Sequence, residues 1–151
     1  MENTYETLNQ LLVCLFNDIM TIEEKALMTK EFKDISITDM HIIEAIGMGE
    51  GRNMSSVAKS LEITVGTLTI AINNLVKKGY VYRTRSTKDR RVVLISLSET
   101  GKKAYKHHAR FHKKMIDDII GLLKKDEIQV FTKCIAGIND YFKKMKDKVS
   151  K

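Results

Sequence analysis

The sequence of 151 residues contains no proline, only eight glycines and only two cysteines. Without proline and with few glycines the chain has few obvious linkers, so a single domain spanning residues 1–151 is expected. Cys14 and Cys134 lie far apart and match no metal-binding spacing. No apolar run is long enough to span a membrane, and no leading segment resembles a signal peptide. A cytoplasmic protein is the simplest interpretation.

Catalytic motifs are also absent from the sequence. It shows no set of nucleophile, base and orienting residue, no glycine-rich phosphate loop and no paired catalytic carboxylates. An enzyme is therefore a poor interpretation, and neither a cofactor nor a metal ion is expected.

The charge is distributed unevenly along the chain, which carries a formal net charge of +7. Residues 1–50 have 3 Lys or Arg against 10 Asp or Glu, for a net charge of −7. Residues 51–100 have a net charge of +6, and residues 101–151 have a net charge of +8. The positive potential of the last two thirds favours a polyanionic or acidic partner.

The stretch 55–91 organises the rest of the chain. Amphipathic segments at 55–61 and about 65–78, separated by a tight turn, predict two short helices, the second ending at Gly79. Strands are predicted at 80–84 and 92–97, around a charged loop at 86–91. A helix-turn-helix followed by a basic hairpin is the layout of a winged helix-turn-helix, here about residues 38–97. The predicted fold class is mainly α with one small β hairpin.

The two faces of the second helix favour DNA recognition. Its core side is predicted to carry Val65, Leu68, Ile72, Leu75 and Val76. The opposite side is small and polar and has no acid, so it could enter a major groove, where Asn pairs with adenine and methyl groups contact thymine. An ordinary surface helix that lacks acids is the alternative. The predicted DNA-facing residues are Thr64 as the N-cap, Gly66, Thr67, Thr69, Ile70, Asn73, Asn74 and Lys77.

The hairpin loop is predicted to be a DNA-binding wing. Cationic wings lie along the phosphate backbone or insert an arginine into a narrow minor groove. Asp89 is expected to pair with a neighbouring arginine and to orient its guanidinium group. A solvated charge run is the alternative. The predicted wing residues are Arg83, Arg85, Lys88, Asp89, Arg90 and Arg91.

Long helices on both sides of this module are predicted to form a dimer. The first, about 3–28, has an apolar stripe, and the last, about 126–149, has apolar residues at alternating steps of three and four over three heptads. A two-fold dimer would present two recognition helices to successive major grooves and so bind an inverted repeat. The predicted interface residues are Leu8, Leu12, Ile128, Phe131, Ile135, Ile138, Phe142 and Met145.

Two further helices are predicted. One begins at Ser36 or Thr38 and buries Met40, Ile42, Ile43 and Ile46. The other, about 99–123, begins after Ser98, and its core side extends to Leu122. A second stripe on this helix is basic and is either a solvated face or a docking site for an acidic protein or the DNA backbone. The basic residues are Lys103, Lys106, Arg110 and Lys113.

The order of these elements, the wing motif Asp89-Arg90-Arg91 and the segment LSETGKKAY at 97–105 resemble the MarR family of bacterial repressors. The segments 32–47, 64–80 and 109–120 are similar to the branch that represses fatty acid biosynthesis in low-GC Gram-positive bacteria. That resemblance implies a long-chain acyl group on acyl carrier protein as co-repressor. It also implies that Thr67, Ile70, Asn73 and Asn74 face bases and that Arg85, Arg90 and Arg91 serve the wing. Thr87 stands where the family usually has proline, which would loosen the wing tip.

Other interpretations stay open at this stage. His108 and His112 have the spacing of a metal pair, but no acid or cysteine lies beside them at ligand spacing, so His107, His108 and His112 are expected to be half-buried structural residues. Cys14 is expected to be a buried thiol, with a redox switch as the alternative. A regulator released by a small phenolic ligand or an oxidant competes with the acyl-carrier branch. An effector-free architectural DNA binder is a third possibility.

Overall fold

The computed structural model describes the backbone of residues 2–149 and the side chains of residues 3–149. Within this range the chain forms six helices and three strands, which confirms the predicted fold class. The strands form one antiparallel sheet in the order β1-β3-β2. In chain order the elements are α1 (Glu2–Leu27), α2 (Ile37–Ile46), β1 (Arg52–Asn53), α3 (Met54–Leu61), α4 (Val65–Lys77), β2 (Val81–Arg85), β3 (Val93–Leu97), α5 (Glu99–Gly121) and α6 (Lys125–Val149).

The chain divides into two compact units, with the boundary between Phe111 and His112 inside α5. The first unit contains the winged helix-turn-helix, in which α3 and α4 are joined by a three-residue turn and β2 and β3 form the wing. The second unit contains the end of α5 and all of α6. The single domain expected from the sequence stays a prediction.

The hydrophobic core of the first unit is built from one side of each short helix. Leu68, Ile72 and Leu75 of α4 are fully buried, because they recur at helical spacing on one side. The four apolar residues predicted for α2 are all buried. This helix begins after Ser36 rather than Thr38, because Ser36 and Asp39 form a capping box in which each side chain accepts a hydrogen bond from the other residue's backbone N–H.

Three core predictions are wrong. Val65 and Val76 are 45% and 37% exposed. At 100° per residue they lie about 60° and 80° around the helix from Leu68, at the edge of the stripe rather than its centre. Leu122 is 84% exposed because α5 ends at Gly121, one residue before it. The sequence also does not predict β1, since two residues are too few to show an alternating pattern.

A close approach between α5 and the start of β2 holds the base of the wing. Ser98 Oγ donates to Gly79 O at 2.6 Å and accepts from Gly101 N at 3.0 Å, and so caps α5. The packing is tight enough that a Cβ on Gly101 would lie 2.1 Å from Tyr80 O. The Tyr80 hydroxyl donates to Asp34 Oδ1 at 2.7 Å, in the connection between α1 and α2. Burial and this hydrogen bond to a carboxylate raise the pKa of Tyr80.

Candidate nucleic-acid interface

Threonine side chains build the N-terminal end of α4. Thr64 is the N-cap, with extended backbone angles, and its Oγ1 accepts from Thr67 N at 3.1 Å. The hydroxyl of Thr67 lies 2.8 Å from that of Thr64, and the hydroxyl of Thr69 donates to Val65 O at 2.7 Å. Because these hydroxyls have partners within the helix, the methyl groups of Thr67 and Thr69 are the parts best placed to contact another molecule.

The predicted DNA-facing side of α4 is solvent-exposed, apart from the half-buried Thr69. Ile70 is 67% exposed, and within residues 3–149 the amide groups of Asn73 and Asn74 have no side-chain hydrogen bond. These amides are therefore available to pair with base edges. At Gly66 a Cβ would come no nearer than 3.9 Å to another atom, so the fold of the chain itself does not require glycine there. Lys77 completes the exposed side.

The wing is a hairpin with regular register from Val81 opposite Leu97 to Arg85 opposite Val93. Its loop is held by side-chain to backbone hydrogen bonds. Ser86 Oγ accepts from Lys88 N at 3.2 Å, and Asp89 Oδ1 accepts from Arg91 N at 2.9 Å. The sequence predicts instead that Asp89 pairs with an arginine guanidinium. That is wrong for residues 3–149, where no ion pair joins Asp89 to an arginine, because the closer backbone N–H takes the carboxylate.

The cations of the wing are consequently directed to solvent. All five of the predicted lysine and arginine side chains are exposed, and none forms an ion pair within the described part of the chain. Arg85 and Arg90 both line an open pocket of about 490 Å³, together with Ser86 and Thr87. A pocket bordered by two unpaired guanidinium groups is suited to a phosphate oxygen, since guanidinium binds phosphate bidentately.

Sequence reasoning missed a second group of residues beside the wing. Asn53 caps α3 by accepting from Ser56 N at 2.7 Å, and it lines an open pocket of about 460 Å³ with Ser55 and Arg91. The N-terminus of a helix and an arginine are both suited to a phosphate. Arg52 positions this end of α3, because its guanidinium donates to Ala45 O and, at 2.8 Å, to Ser56 Oγ. The Asn-x-x-Ser spacing at 53–56 could have predicted this N-cap, because an Asn side chain accepts from the backbone N–H three residues later.

The basic stripe of α5 is distributed over both units. Within the first unit, Lys103 Nζ lies 3.9 Å from Glu31 Oε1, and Lys106 and Arg110 have no ion-pair partner in residues 3–149. These three cations, with Glu31, Phe32 and His107, line an open pocket of about 300 Å³. Within the second unit, Lys113 Nζ pairs with Asp117 Oδ2 at 2.6 Å. Lys106 and Arg110 are therefore the cations of the stripe that are available to an acidic partner.

The predicted dimer interface residues are exposed in the single chain. In α1 these are Leu8 and Leu12, and in α6 they are Phe131, Ile135, Ile138, Phe142 and Met145, with Ile128 half-buried. No residue of α6 from Lys125 to Val149 is buried. An apolar face of this length has no partner within its own unit, which agrees with, but does not test, the predicted dimer.

His107 and His112 are half-buried, as the sequence predicts, whereas His108 and Cys14 differ from the sequence-based expectations. His107 Nε2 lies 2.9 Å from Ala26 O, and its ring centroid lies 5.4 Å from that of Phe32, whereas His108 is fully buried rather than half-buried. His112 is half-buried in the second unit. Cys14 is exposed, so the expectation of a buried thiol is wrong for the single chain, because the side of α1 that carries it packs on nothing in the first unit.

Comparisons with known proteins identify a group of regulators. Residues 20–108 match the family model described as transcriptional regulator SarA/Rot. The chain is 36% identical over 104 residues to the HTH-type regulator SarZ of Staphylococcus saprophyticus, which covers 68% of this chain and 70% of that protein. The matched part of the chain spans 46% to 70% of the length of such curated regulators, and in several of them it is under two thirds.

Solved structures are similar over nearly the whole chain. Streptococcus pneumoniae FabT in complex with DNA is 40% identical, covers 93% of this chain and 99% of that chain, and superposes with a TM-score of 0.86. A MarR family transcription regulator is 12% identical with a TM-score of 0.77, covering 97% and 94% of the two chains, and shares the fold alone. These matches confirm the resemblance stated from the sequence, and they are to regulators rather than enzymes. The described helices include none that is long and apolar enough to cross a membrane.

Proposed function

Because the chain belongs to the SarA/Rot family of transcriptional regulators, we propose that it is a homodimeric repressor that binds an inverted repeat in double-stranded DNA. In each protomer α4 enters a major groove, and the wing contacts the phosphate backbone or the adjacent minor groove. The supporting relative is FabT, which is 40% identical and was solved in complex with DNA.

One observation carries this proposal. The exposed side of α4 has no carboxylate, its two asparagine amides have no partner within residues 3–149, and the arginines of the adjacent wing are unpaired. Acids on such a surface would repel phosphates, and paired amides could not distinguish bases. An ordinary solvent-exposed surface would not be expected to combine the absence of carboxylates with unpaired amide and guanidinium groups.

We further propose that the regulated genes are those of fatty acid biosynthesis and that long-chain acyl-acyl carrier protein is the co-repressor. The proposal rests on the resemblance to the fatty-acid-biosynthesis repressors. It is supported by Lys106 and Arg110, which lie one turn apart on α5 without an ion-pair partner in residues 3–149 and would suit an acidic carrier protein.

The test is a DNA-binding titration on promoter DNA from a fatty acid synthesis operon and on scrambled DNA of the same composition. It is run with no carrier, with free acyl carrier protein and with long-chain acyl-acyl carrier protein. We expect binding to be specific for the promoter and tighter only with the acylated carrier. The variant Lys106→Glu/Arg110→Glu should lose the carrier response, whereas Lys143→Glu/Lys144→Glu in α6 should keep it.

Two other outcomes would reject either the co-repressor or the sequence specificity. Specific binding that ignores the carrier discards the lipid branch and leaves a repressor with another effector. Equal affinity for scrambled DNA discards sequence-specific repression in favour of an architectural DNA binder.

The exposed thiol of Cys14 supports an oxidant-released repressor as the second candidate. In that case mild peroxide treatment should weaken promoter binding by the wild-type protein and not by Cys14→Ser. Cys134→Ser is the matched control, since Cys134 is also exposed.

A further inference from the structure

A cationic pocket of about 300 Å³ lies in the first unit, between α5 and the connection that joins α1 to α2. Its volume is at the lower end of the range for small-molecule sites, so it suits a small ligand. The DNA-binding surface of α4 and the wing uses none of its residues. Four side chains of α5 and two of the connection line the pocket, and they are Lys103, Lys106, His107, Arg110, Glu31 and Phe32.

We propose that this pocket binds a small phosphate monoester. The phosphate group lies between the ammonium of Lys106 and the guanidinium of Arg110, which are one turn apart on α5, with Lys103 as a third cation. Arginine binds two phosphate oxygens through its planar fork, and lysine supplies a compact positive charge. The organic part of the ester contacts the half-buried ring of His107.

The two central cations have no acid at helical spacing, unlike the lysine one turn before them. Lys102 Nζ pairs with Glu99 Oε1 at 2.9 Å, whereas Lys106 and Arg110 have no ion-pair partner within residues 3–149. The residues three or four positions from Lys106 are two lysines, an alanine and an arginine. Like charges at this spacing destabilise a helix, and a bound anion removes that repulsion.

The charge of the pocket favours a dianion. Three basic side chains and one carboxylate give a formal net charge of +2, with His107 counted as neutral. A phosphate monoester carries a charge close to −2 at neutral pH, because its second pKa is about 6. The carboxylate is held weakly, since Glu31 Oε1 lies 3.9 Å from Lys103 Nζ and both side chains are more than half exposed. A ligand with two negative charges can therefore displace it.

The wall of the pocket is fixed before a ligand binds. His107 Nε2 lies 2.9 Å from Ala26 O, and because a carbonyl oxygen can only accept, Nε2–H is the donor. The ring centroid of His107 lies 5.4 Å from that of Phe32, which is buried and whose backbone N–H donates to Thr29 Oγ1 at 3.2 Å. A preformed wall lowers the conformational entropy that ligand binding costs.

This inference goes beyond the proposed function and does not rest on it, because its ligand is a small molecule and its test uses neither DNA nor a carrier protein. Lys106 and Arg110 are also the proposed contacts of the acidic carrier. The two ligands are titrated separately, so a failure here would leave the repressor and its co-repressor to their own experiment.

The experiment titrates the full-length protein, without an affinity tag, with phenyl phosphate by calorimetry. Phenyl sulfate has nearly the same shape but a single negative charge, and it serves as the ligand control. We expect one phenyl phosphate per chain, bound at least about 10-fold more tightly than phenyl sulfate, and a raised unfolding temperature with phenyl phosphate. Lys106→Gln/Arg110→Gln should weaken binding at least about 10-fold. Glu31→Gln should tighten it, because the competing carboxylate is removed.

Variants elsewhere on the chain supply matched controls. Lys143→Gln/Lys144→Gln in α6 removes the same number of positive charges, and Glu6→Gln in α1 removes the same carboxylate. Both should bind phenyl phosphate as the wild type does. Every substituted side chain is exposed, so the variants should fold. The proposal is overturned if phenyl phosphate shows no saturable binding, if phenyl sulfate binds as tightly, or if Lys106→Gln/Arg110→Gln binds phenyl phosphate like the wild type.

Discussion

Helices α4 and α6 are both amphipathic, but the apolar stripe of α4 is buried and that of α6 is exposed. In α4 the stripe of Leu68, Ile72 and Leu75 is fully buried against the rest of the first unit. In α6 the apolar residues from Phe131 to Met145 that follow the heptad pattern are 39–58% exposed, and no residue is buried. A winged helix-turn-helix therefore completes its core within one chain, whereas α6 leaves a face of heptad spacing for another helix.

The largest expected effect tests how tightly α5 packs against the base of the wing in the winged helix-turn-helix. Gly101→Ala places a Cβ 2.1 Å from Tyr80 O, a backbone atom that cannot move without displacing the wing. We expect a loss of at least about 3 kcal/mol in the free energy of unfolding, measured by urea denaturation. Gly137→Ala in α6 is the control, because nothing lies within 4 Å of its Cβ. It should gain about 0.5–1 kcal/mol from helix propensity. Equal behaviour of the two variants would mean that the close approach is not required.

The second effect tests whether the exposed heptad face of α6 forms the dimer interface. Ile138→Asp places a charge in the heptad seam, and a buried unpaired carboxylate in a dimer costs several kcal/mol. Sedimentation velocity should show monomer at concentrations where the wild type is a dimer, with unchanged helix content by circular dichroism. Val130→Asp removes a similar apolar side chain outside the seam and should leave the dimer intact. If Ile138→Asp remains a dimer, α6 does not form the interface.

The third effect concerns the exposed side of α4. Asn74→Ala should weaken binding to the promoter site by about 1–3 kcal/mol and leave binding to scrambled DNA unchanged, because the amide contacts bases and not phosphates. Asn139→Ala in α6 should change neither affinity. The measurement is fluorescence anisotropy on both DNAs, and an equal loss on both would remove Asn74 from base recognition.

The fourth effect concerns the wing, where Arg90 faces solvent and is unpaired within residues 3–149. Arg90→Ala should weaken binding to both DNAs and reduce the slope of log affinity against log salt by about 1 for each phosphate that the variant no longer neutralises. Lys25→Ala, on α1, should leave the slope as it is. A slope that does not change in Arg90→Ala would exclude the wing from phosphate binding.

The smallest effect concerns the base of the wing. Tyr80→Phe removes the hydrogen bond to Asp34 and should cost about 1 kcal/mol at neutral pH. The pKa of Tyr80 is raised on folding, so its contribution is complete below the ordinary tyrosine pKa of about 10 and is lost as the pH rises above it. Wild-type stability should therefore fall more steeply than that of Tyr80→Phe from about pH 10 upward. Parallel curves would show that this hydroxyl does not titrate differently on folding.

Local patterns explain how much of the fold could be predicted from the sequence. The helix stripe of Leu68, Ile72 and Leu75, the cap at Thr64 and the stop at Gly79 depend on residues within a turn or two, and the structure has them where they were expected. The predictions for Val65 and Val76 failed at the edge of the same stripe, because burial there depends on what packs beside the helix. The candidate DNA-binding surface could likewise be predicted in part. Its exposed residues are set by helical and strand periodicity, but the partner of Asp89 depends on loop geometry.

The sequence alone determined the order of the helices and of the two wing strands, the heptad face of α6 and the accumulation of positive charge after residue 50, because each is a property of neighbouring residues or of composition. Only the tertiary structure decided which groups from distant segments meet. It brings Glu23 to within 3.0 Å of His108, which the sequence leaves without an acid at ligand spacing, and it makes Gly101 indispensable beside Tyr80. Such contacts arise from the packing of whole helices, and no spacing along the chain encodes them.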